Sequence, residues 1–211
     1  MQTCVILAGG KSSRMGQDKT LLPFGGFETL THYQASKFSK VFDEVFVSSK
    51  FEKFSPPLKL IKDESSEDFS PMLALYSVLK SFDHSVFIIP ADMPFFDLVS
   101  LDELAKFKDE FEMVVAGDDE HIHSLCGFFS PNLAQFAQEL YLKNEHKIGL
   151  LRKSCKCKIV NFEDKEQFFN VNFPEEYKII LYPSTPSVFL FSLIVNSLSL
   201  TLIFKFSKIL G

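Results

Sequence analysis

The sequence predicts an α/β protein with a mostly parallel sheet. Short apolar runs alternate with helical stretches from the first residues onward, turn-forming glycines and prolines interrupt them, and a chain of 211 residues suits one α/β domain. In sheets of this kind, ligands bind beyond the carboxyl ends of the strands, near the point where the strand order reverses.

The predicted strands are short apolar runs, and helices are predicted between them. The strands cover residues 3–8, 45–48, 58–61, 86–89, 113–116, 158–162 and 168–171. The helices cover residues 30–42, 71–82, 101–107 and 133–141, and Pro71 suits a first helical turn. Residues 9–19 and 90–94 follow two strong strands, so we expect both segments to face one crevice.

Composition excludes several classes of protein. The net charge of −5 argues against a nucleic-acid partner, so a triphosphate would need a local basic patch and a divalent cation. The four cysteines contain no C-x-x-C pair, which argues against a structural zinc site. The start of the chain lacks the basic segment of a signal peptide, so we expect reduced thiols in a cytoplasmic enzyme.

The segment after the first predicted strand has the chemistry of a phosphate-binding loop. Gly9 and Gly10 leave space for backbone N–H groups to approach phosphate oxygens, and Ser12 adds a hydroxyl donor. Arg14 and Lys19 supply positive charge. This is not a P-loop, because that motif requires a glycine where Val5 stands.

A single aspartate follows the clearest apolar strand. Asp92 lies in the run Ile88-Ile89-Pro90-Ala91-Asp92-Met93-Pro94. Magnesium prefers hard oxygen ligands and takes few from the protein, so Asp92 is a candidate Mg²⁺ ligand. Its structural alternative is a turn former or a helix N-cap.

The run L-A-G-G-x-S-x-R-M-G-x-D-K, residues 7–19, resembles the signature of the molybdenum cofactor guanylyltransferases. Ala8-Gly9-Gly10 favours this family over the related cytidylyltransferases, which usually have Ala-Ala-Gly. The similarity extends at intervals to about Tyr177. It implies a Rossmann-like three-layer domain over residues 1–178 that transfers GMP from GTP to molybdopterin cofactor and releases pyrophosphate.

The resemblance also implies roles for individual residues. Arg14, Lys19 and Asp92 are the expected catalytic residues, and Asp92 is the expected Mg²⁺ ligand. The segment from Phe169 to Tyr177 is similar to the family's N-x-N-T-P-E-D motif. Asn172 would therefore complete the metal site, with Asn170 as the alternative, unless Asn172 merely starts a helix.

The expected nucleotide contacts span the glycine loop and one distant aspartate. They involve Leu7, Ala8, Gly9, Gly10, Ser12, Arg14, Lys19, Asp63 and Asp92. Asp63 occupies the place of the family's guanine-reading aspartate. Ser70 and Ala74 replace expected glycines and Lys50 replaces an asparagine, so a solvated acidic loop stays open as the alternative for this segment.

Two further segments allow several interpretations. His121 and His123 could share a face of a strand and hold a metal, whereas the resemblance places their segment beside the acceptor. Residues 179–204 contain no charged side chain. The tail at 179–211 is a membrane anchor, a frameshifted or read-through product, or an extra packed helix, and the anchor is not the favoured interpretation.

Three functions follow from these patterns, and the guanylyltransferase leads. A cytidylyl or sugar-phosphate nucleotidyltransferase would use the same loop and metal, and a non-catalytic nucleotide-binding scaffold is the third. The expected ligands are GTP, molybdopterin cofactor and Mg²⁺. We expect a monomer or a weak oligomer.

Overall fold

The computed structural model describes residues 2–10, 17–65 and 67–171 of the chain. Its strands are β1 (Thr3–Leu7), β2 (Glu44–Ser49), β3 (Leu60–Lys62), β4 (Val86–Pro90), β5 (Met113–Gly117), β6 (Ile122–Phe129) and β7 (Cys157–Asn161). Its helices are α1 (Leu30–Phe38), α2 (Pro71–Leu79), α3 (Leu98–Ala105), α4 (Leu133–Leu142) and α5 (Ile148–Lys153). Short 3₁₀ turns form at Lys19–Leu21 and Glu166–Phe168.

The strands form one sheet in the order β3-β2-β1-β4-β6-β5-β7. Neighbouring strands are parallel, except that β6 runs antiparallel to both β4 and β5. The chain builds outward from β1 through β2 to β3, and then β4 joins the opposite side of β1. The strand order therefore reverses between β1 and β4, which is where a ligand crevice is expected.

Helices cover both faces of the sheet because side chains along each central strand alternate in direction. Ile6 of β1 and Ile89 of β4 belong to a buried cluster that α1 and α3 cover. Val5 and Ile88 point to the other face, where they pack in a cluster covered by α2, α4 and α5. The predicted three-layer α/β fold with a mostly parallel sheet is thus confirmed.

The first two helices are shorter than the sequence predicted. α1 ends at Phe38 rather than residue 42, and α2 ends at Leu79 rather than residue 82. Each closes in a tight turn, since the Val41 N–H donates to the Phe38 carbonyl and the Ser81 N–H to the Val78 carbonyl, both at 3.0 Å. These three-residue bonds end the α-helical ladder.

The predicted strand at residues 168–171 is wrong. Residues up to Phe168 form a 3₁₀ turn, and the Val171 N–H donates to the Asp92 carbonyl at 3.0 Å in a loop instead of joining a strand ladder.

The bounds of β6 and the whole of α5 were not predicted. β6 passes so close to β5 that a Cβ on Gly127 would lie 1.9 Å from the Val114 carbonyl oxygen, so only glycine fits there.

Part of the predicted domain and all of the tail fall outside the described residues. Residues 172–178 and the tail at 179–211 belong to that part, so the predicted bounds of the domain stay a prediction. Within the described ranges, no helix combines the length and the apolar character needed to span a membrane.

Candidate active site

A row of backbone hydrogen bonds continues past the carboxyl ends of the strands and brings the predicted site segments side by side. The Asp63 N–H donates to the Ser49 carbonyl at 3.2 Å, and the Ala8 N–H donates to the Ser48 carbonyl at 2.9 Å. On the other side of β1, the Ala91 N–H donates to the Leu7 carbonyl at 3.0 Å. The segments that follow β1, β3 and β4 therefore lie along one edge of the sheet.

The turn after β1 exposes backbone at the point where the strand order reverses. Leu7 ends β1, Ala8 is buried, and Gly9 and Gly10 are exposed. Gly10 has a φ of 135°, which side chains of other residues rarely tolerate. The glycine pair thus presents main-chain groups to the crevice, as a phosphate-binding turn requires.

Lys19 and Asp92 meet across the crevice. The Lys19 ammonium group hydrogen-bonds to Oδ2 of Asp92, and both side chains are largely buried. Lys19 starts a 3₁₀ turn whose N-cap is Asp18, and Asp92 lies in the turn after β4. The structure therefore brings the predicted cation and the predicted metal ligand into direct contact.

Three predicted site residues lie outside the described part of the chain. They are Ser12, Arg14 and Asn172. Val171, directly before Asn172, bonds to the backbone of Asp92. The described chain therefore reaches the predicted metal aspartate immediately before the predicted second ligand.

Asp63 forms a polar corner with the glycine turn. Its Oδ1 accepts a hydrogen bond from the Ser48 hydroxyl at 2.9 Å. Its Oδ2 would lie 3.5 Å from a Cβ built on Gly9, so this oxygen faces the turn. Burial raises the pKa of Asp63, while the Ser48 hydroxyl and the charges of Lys50 and Lys53 act in the opposite direction.

The departures from the family pattern have structural roles in this chain. Ser70 caps α2 by accepting from the Leu73 N–H at 3.3 Å, and its hydroxyl also bonds to Nδ1 of His146 at 2.8 Å. Lys50 is buried, donates to the Asp68 carbonyl and lies 3.5 Å from the centroid of the Phe69 ring. A hydroxyl cap thus stands where a glycine was expected, and a buried cation stands near the polar corner.

Three site-forming side chains were missed by the sequence analysis. Lys53 contacts both the turn after β1 and Asp18, and no local pattern marks it. Gln34 and Lys37 of α1 donate to the turn after β4, with Gln34 bonding the Met93 carbonyl at 2.7 Å. Their spacing of three residues on one helix was the available signal, but it does not reveal the partner.

The two histidines do not form a metal cluster. His123 donates from Nε2 to Oδ2 of Asp118 at 2.8 Å and stacks on Phe168 with ring centroids 4.0 Å apart. Burial alone would raise the pKa of Asp118, but hydrogen bonds from His123 and from the Glu120 and His121 N–H groups hold it at about 2. Within the described residues, no group of three or more His, Cys, Asp or Glu side chains is arranged to hold a metal ion.

Comparison with known proteins decides the family. Residues 4–157 match the family model of the MobA-like NTP transferase domain. This chain belongs to the MobA-like NTP transferase family. It is therefore an enzyme, a nucleotidyltransferase, and the resemblance inferred from residues 7–19 is confirmed.

Several known proteins are similar to this chain over most of their length. The molybdenum cofactor guanylyltransferase of Campylobacter jejuni is 46% identical over 181 residues, covering 83% of this chain and 93% of the relative. A solved protein of Aquifex aeolicus superposes with a TM-score of 0.67 at 30% identity, covering 81% of this chain and 92% of that chain. The molybdopterin-guanine dinucleotide biosynthesis protein A of Archaeoglobus fulgidus has the same fold, with a TM-score of 0.71 at 22% identity and coverage of 84% and 95%.

Proposed function

We propose that this nucleotidyltransferase transfers GMP from GTP to molybdopterin cofactor, forming the guanine dinucleotide cofactor and pyrophosphate. The meeting of Asp63, the glycine turn, Lys19 and Asp92 at one strand-order reversal is the observation that carries the proposal. The name of the Campylobacter jejuni relative supports the choice of nucleotide and acceptor.

The reaction is a displacement at the α-phosphorus. An oxygen of the acceptor's terminal phosphate forms the new P–O bond, and the bond between the α-phosphorus and the bridging oxygen of the β-phosphate breaks. The leaving group departs as pyrophosphate. Because the attacking phosphate is already an anion, the protein has to position the reactants and balance their charge rather than remove a proton.

Each site residue has a role in that positioning. The Gly9 and Gly10 N–H groups would donate to phosphate oxygens, while Lys19 would leave Asp92 and neutralise the β- and γ-phosphates. Arg14 is the proposed second phosphate cation. Asp63 would accept hydrogen bonds from N1–H and the exocyclic amine of guanine, which neither adenine nor cytosine offers together.

The residues present fit a magnesium ion. The Asp92 carboxylate supplies hard oxygens, and its partner in the structure is already a cation, the Lys19 ammonium group. Asp92 would hold Mg²⁺, with Asn172 as the proposed second ligand and Asn170 as the alternative. When bound, the ion would neutralise charge on phosphate oxygens.

We also propose that residues 1–178 form the catalytic domain and that the enzyme works in the cytoplasm. The first proposal is supported by the family match to residues 4–157 and by the 181-residue alignment with the Campylobacter jejuni relative. All four cysteines are free thiols, two of them buried, which fits a reducing compartment. A monomer or weak oligomer stays the proposed assembly.

Turnover of the full-length protein tests the proposed reaction. Pyrophosphate release should require GTP, Mg²⁺ and molybdopterin cofactor together, and mass spectrometry should find the guanine dinucleotide. Asp92→Asn should lower kcat about 100-fold or more, because an amide would hold Mg²⁺ more weakly than the carboxylate does. Asp109→Asn removes an exposed carboxylate with 84% of its side chain accessible and should leave kcat unchanged. Near-normal turnover in Asp92→Asn would contradict the role of Asp92, and release of pyrophosphate only from CTP would move the enzyme to the cytidylyl class.

A further inference from the structure

Lys53 links the end of β1 to the 3₁₀ turn that carries Lys19. Its ammonium group donates to the carbonyl of Ala8, directly after β1, at 2.8 Å. It also bonds Oδ2 of Asp18, the N-cap of the 3₁₀ turn, and donates to the hydroxyl of Thr20 at 2.9 Å. Lys53 itself lies between β2 and β3, so its contacts are with segments far from it in the sequence.

The geometry gives Lys53 the role of linking these two segments and not that of a phosphate ligand. A lysine ammonium group has three N–H donors, and the three acceptors named above use all of them. The side chain is largely buried, with 17% of its surface accessible. Binding a phosphate oxygen would require one of these contacts to break.

Further hydrogen bonds fix the residues on either side of Lys19, the residue that contacts Asp92. Oδ1 of Asp18 accepts from the Thr20 N–H at 3.0 Å and from the Thr20 hydroxyl at 2.7 Å. Thr20 is buried, and its carbonyl accepts from the Thr31 hydroxyl of α1 at 2.9 Å. Asp18 and Thr20 flank Lys19, so fixing them sets the direction from which Lys19 enters the crevice.

We infer that Lys53 is a positioning residue that holds Ala8 and the turn carrying Lys19 in place for binding the triphosphate. Fixing these segments before the ligand arrives removes part of the ordering cost that binding would otherwise meet. This inference rests on the proposed triphosphate site. It adds to that site a residue outside the glycine motif.

Removing the ammonium group of Lys53 should weaken nucleotide binding while sparing the rest of the reaction. In Lys53→Met, the KM for GTP and its Kd by calorimetry should rise about tenfold or more, because charge-assisted hydrogen bonds to Ala8 and Asp18 are lost. The KM for the acceptor should stay unchanged. A merely structural role would lower the amount of active enzyme and hence the apparent kcat, with no change in the KM for GTP.

Three further variants complete the test. Lys53→Arg keeps the charge and should recover most of the affinity. Lys59→Met removes an exposed lysine from the same β2–β3 connection, where it pairs with Glu44 at 3.1 Å, and should change the KM for GTP less than about twofold. Asp18→Asn removes the charge of the partner without changing its shape. When it is combined with Lys53→Met, the double variant should raise the KM for GTP no more than Lys53→Met alone, because the two residues act through one contact.

The outcomes separate this inference from the proposed function. Wild-type protein that binds no nucleoside triphosphate would overturn both. Wild-type protein that binds GTP, with a folded Lys53→Met variant of unchanged KM and Kd, would overturn only the positioning role. If Lys53→Met fails to fold, an unchanged KM for GTP in Asp18→Asn overturns that role instead.

Discussion

The two carboxylate oxygens of Asp63 have different surroundings. Oδ1 is fixed by the Ser48 hydroxyl, and Oδ2 faces the glycine turn. The hydroxyl orients the carboxylate, so the second oxygen is directed toward the place proposed for the base. Burial raises the pKa of Asp63, yet only its ionised form can accept two hydrogen bonds from guanine.

Replacing Asp63 by asparagine should remove the preference for guanine. An amide would direct a donor at one of the two guanine donors, so the affinity for GTP should fall about 30-fold or more while that for CTP changes little. Calorimetry on both nucleotides measures this. Asp68→Asn is the control, because Asp68 is in the same loop but bonds Tyr141 at the surface. Equal losses for GTP and CTP would contradict base reading by Asp63.

The same carboxylate predicts a pH dependence. Because the pKa of Asp63 is raised by burial, GTP binding should weaken as the pH falls through that raised value, where the carboxylate takes up a proton. Calorimetric titrations over a series of falling pH values should show this loss in the wild type and a smaller loss in Asp63→Asn. An identical fall in both proteins would assign the effect to other groups.

The sequence identified the residues that directly follow strands and missed those that act from a distance. Asp92 follows the apolar strand β4, and Asp63 follows β3, so local pattern and resemblance were enough to find them. Lys53 is separated by 45 residues from Ala8 and by 35 from Asp18. Only the fold brings these partners together, and no motif marks the lysine.

Helix α1 supports the turn that carries Asp92. Gln34 bonds the Met93 carbonyl, while Lys37 donates to the Pro94 carbonyl at 3.1 Å and to the Phe96 carbonyl. Burial lowers the pKa of Lys37 to about 8, although nearby Asp97 acts in the opposite direction. One helix face thus fixes three carbonyls just after the proposed metal ligand.

Stability should depend on the charge of Lys37. Below pH 8 the folded protein bears the cost of a buried ammonium group. As the pH rises from about 8 toward the ordinary lysine value of 10.5, the folded state releases this proton before the unfolded chain does, so the cost disappears. Between pH 7 and 9.5, the free energy of unfolding of the wild type should rise by on the order of 1–2 kcal/mol relative to that of Lys37→Met.

Urea unfolding of both proteins at the two pH values measures this difference. Lys106→Met, which removes an exposed lysine paired with Glu103, is the control and should show the same pH dependence as the wild type. If the difference in the free energy of unfolding between the wild type and Lys37→Met is the same at both pH values, the lysine keeps an ordinary pKa and the prediction is wrong.

Elements with a strong local pattern were predicted, and elements that depend on distant partners were not. β1 and β4 are continuous apolar runs buried on both faces, and α2 begins with Pro71 after a serine cap. β6 is partly polar at its start and forms by pairing with β4 and β5. The predicted strand at 168–171 failed because Val171 bonds a loop carbonyl instead of a neighbouring strand.

The whole molecule is acidic, yet it gathers cations at one edge of its sheet. The net charge is −5, while Lys19, Lys50 and Lys53 all lie beside the turns that follow β1 to β4. A broad polyanion would be repelled by such a surface, whereas a triphosphate needs only this local group and a metal ion. The order of the strands determines where these segments meet, and the alternation of strands and helices was enough to predict that meeting.

Calorimetry of GTP and CTP binding to the full-length protein, each with Mg²⁺ and with EDTA, tests most directly whether residues 9–19, Asp63 and Asp92 form one site for GTP. We predict that GTP binds at least about tenfold more tightly than CTP and that Mg²⁺ strengthens its binding. Equal affinities for the two nucleotides, with no effect of Mg²⁺, would contradict a guanine-reading, metal-assisted site.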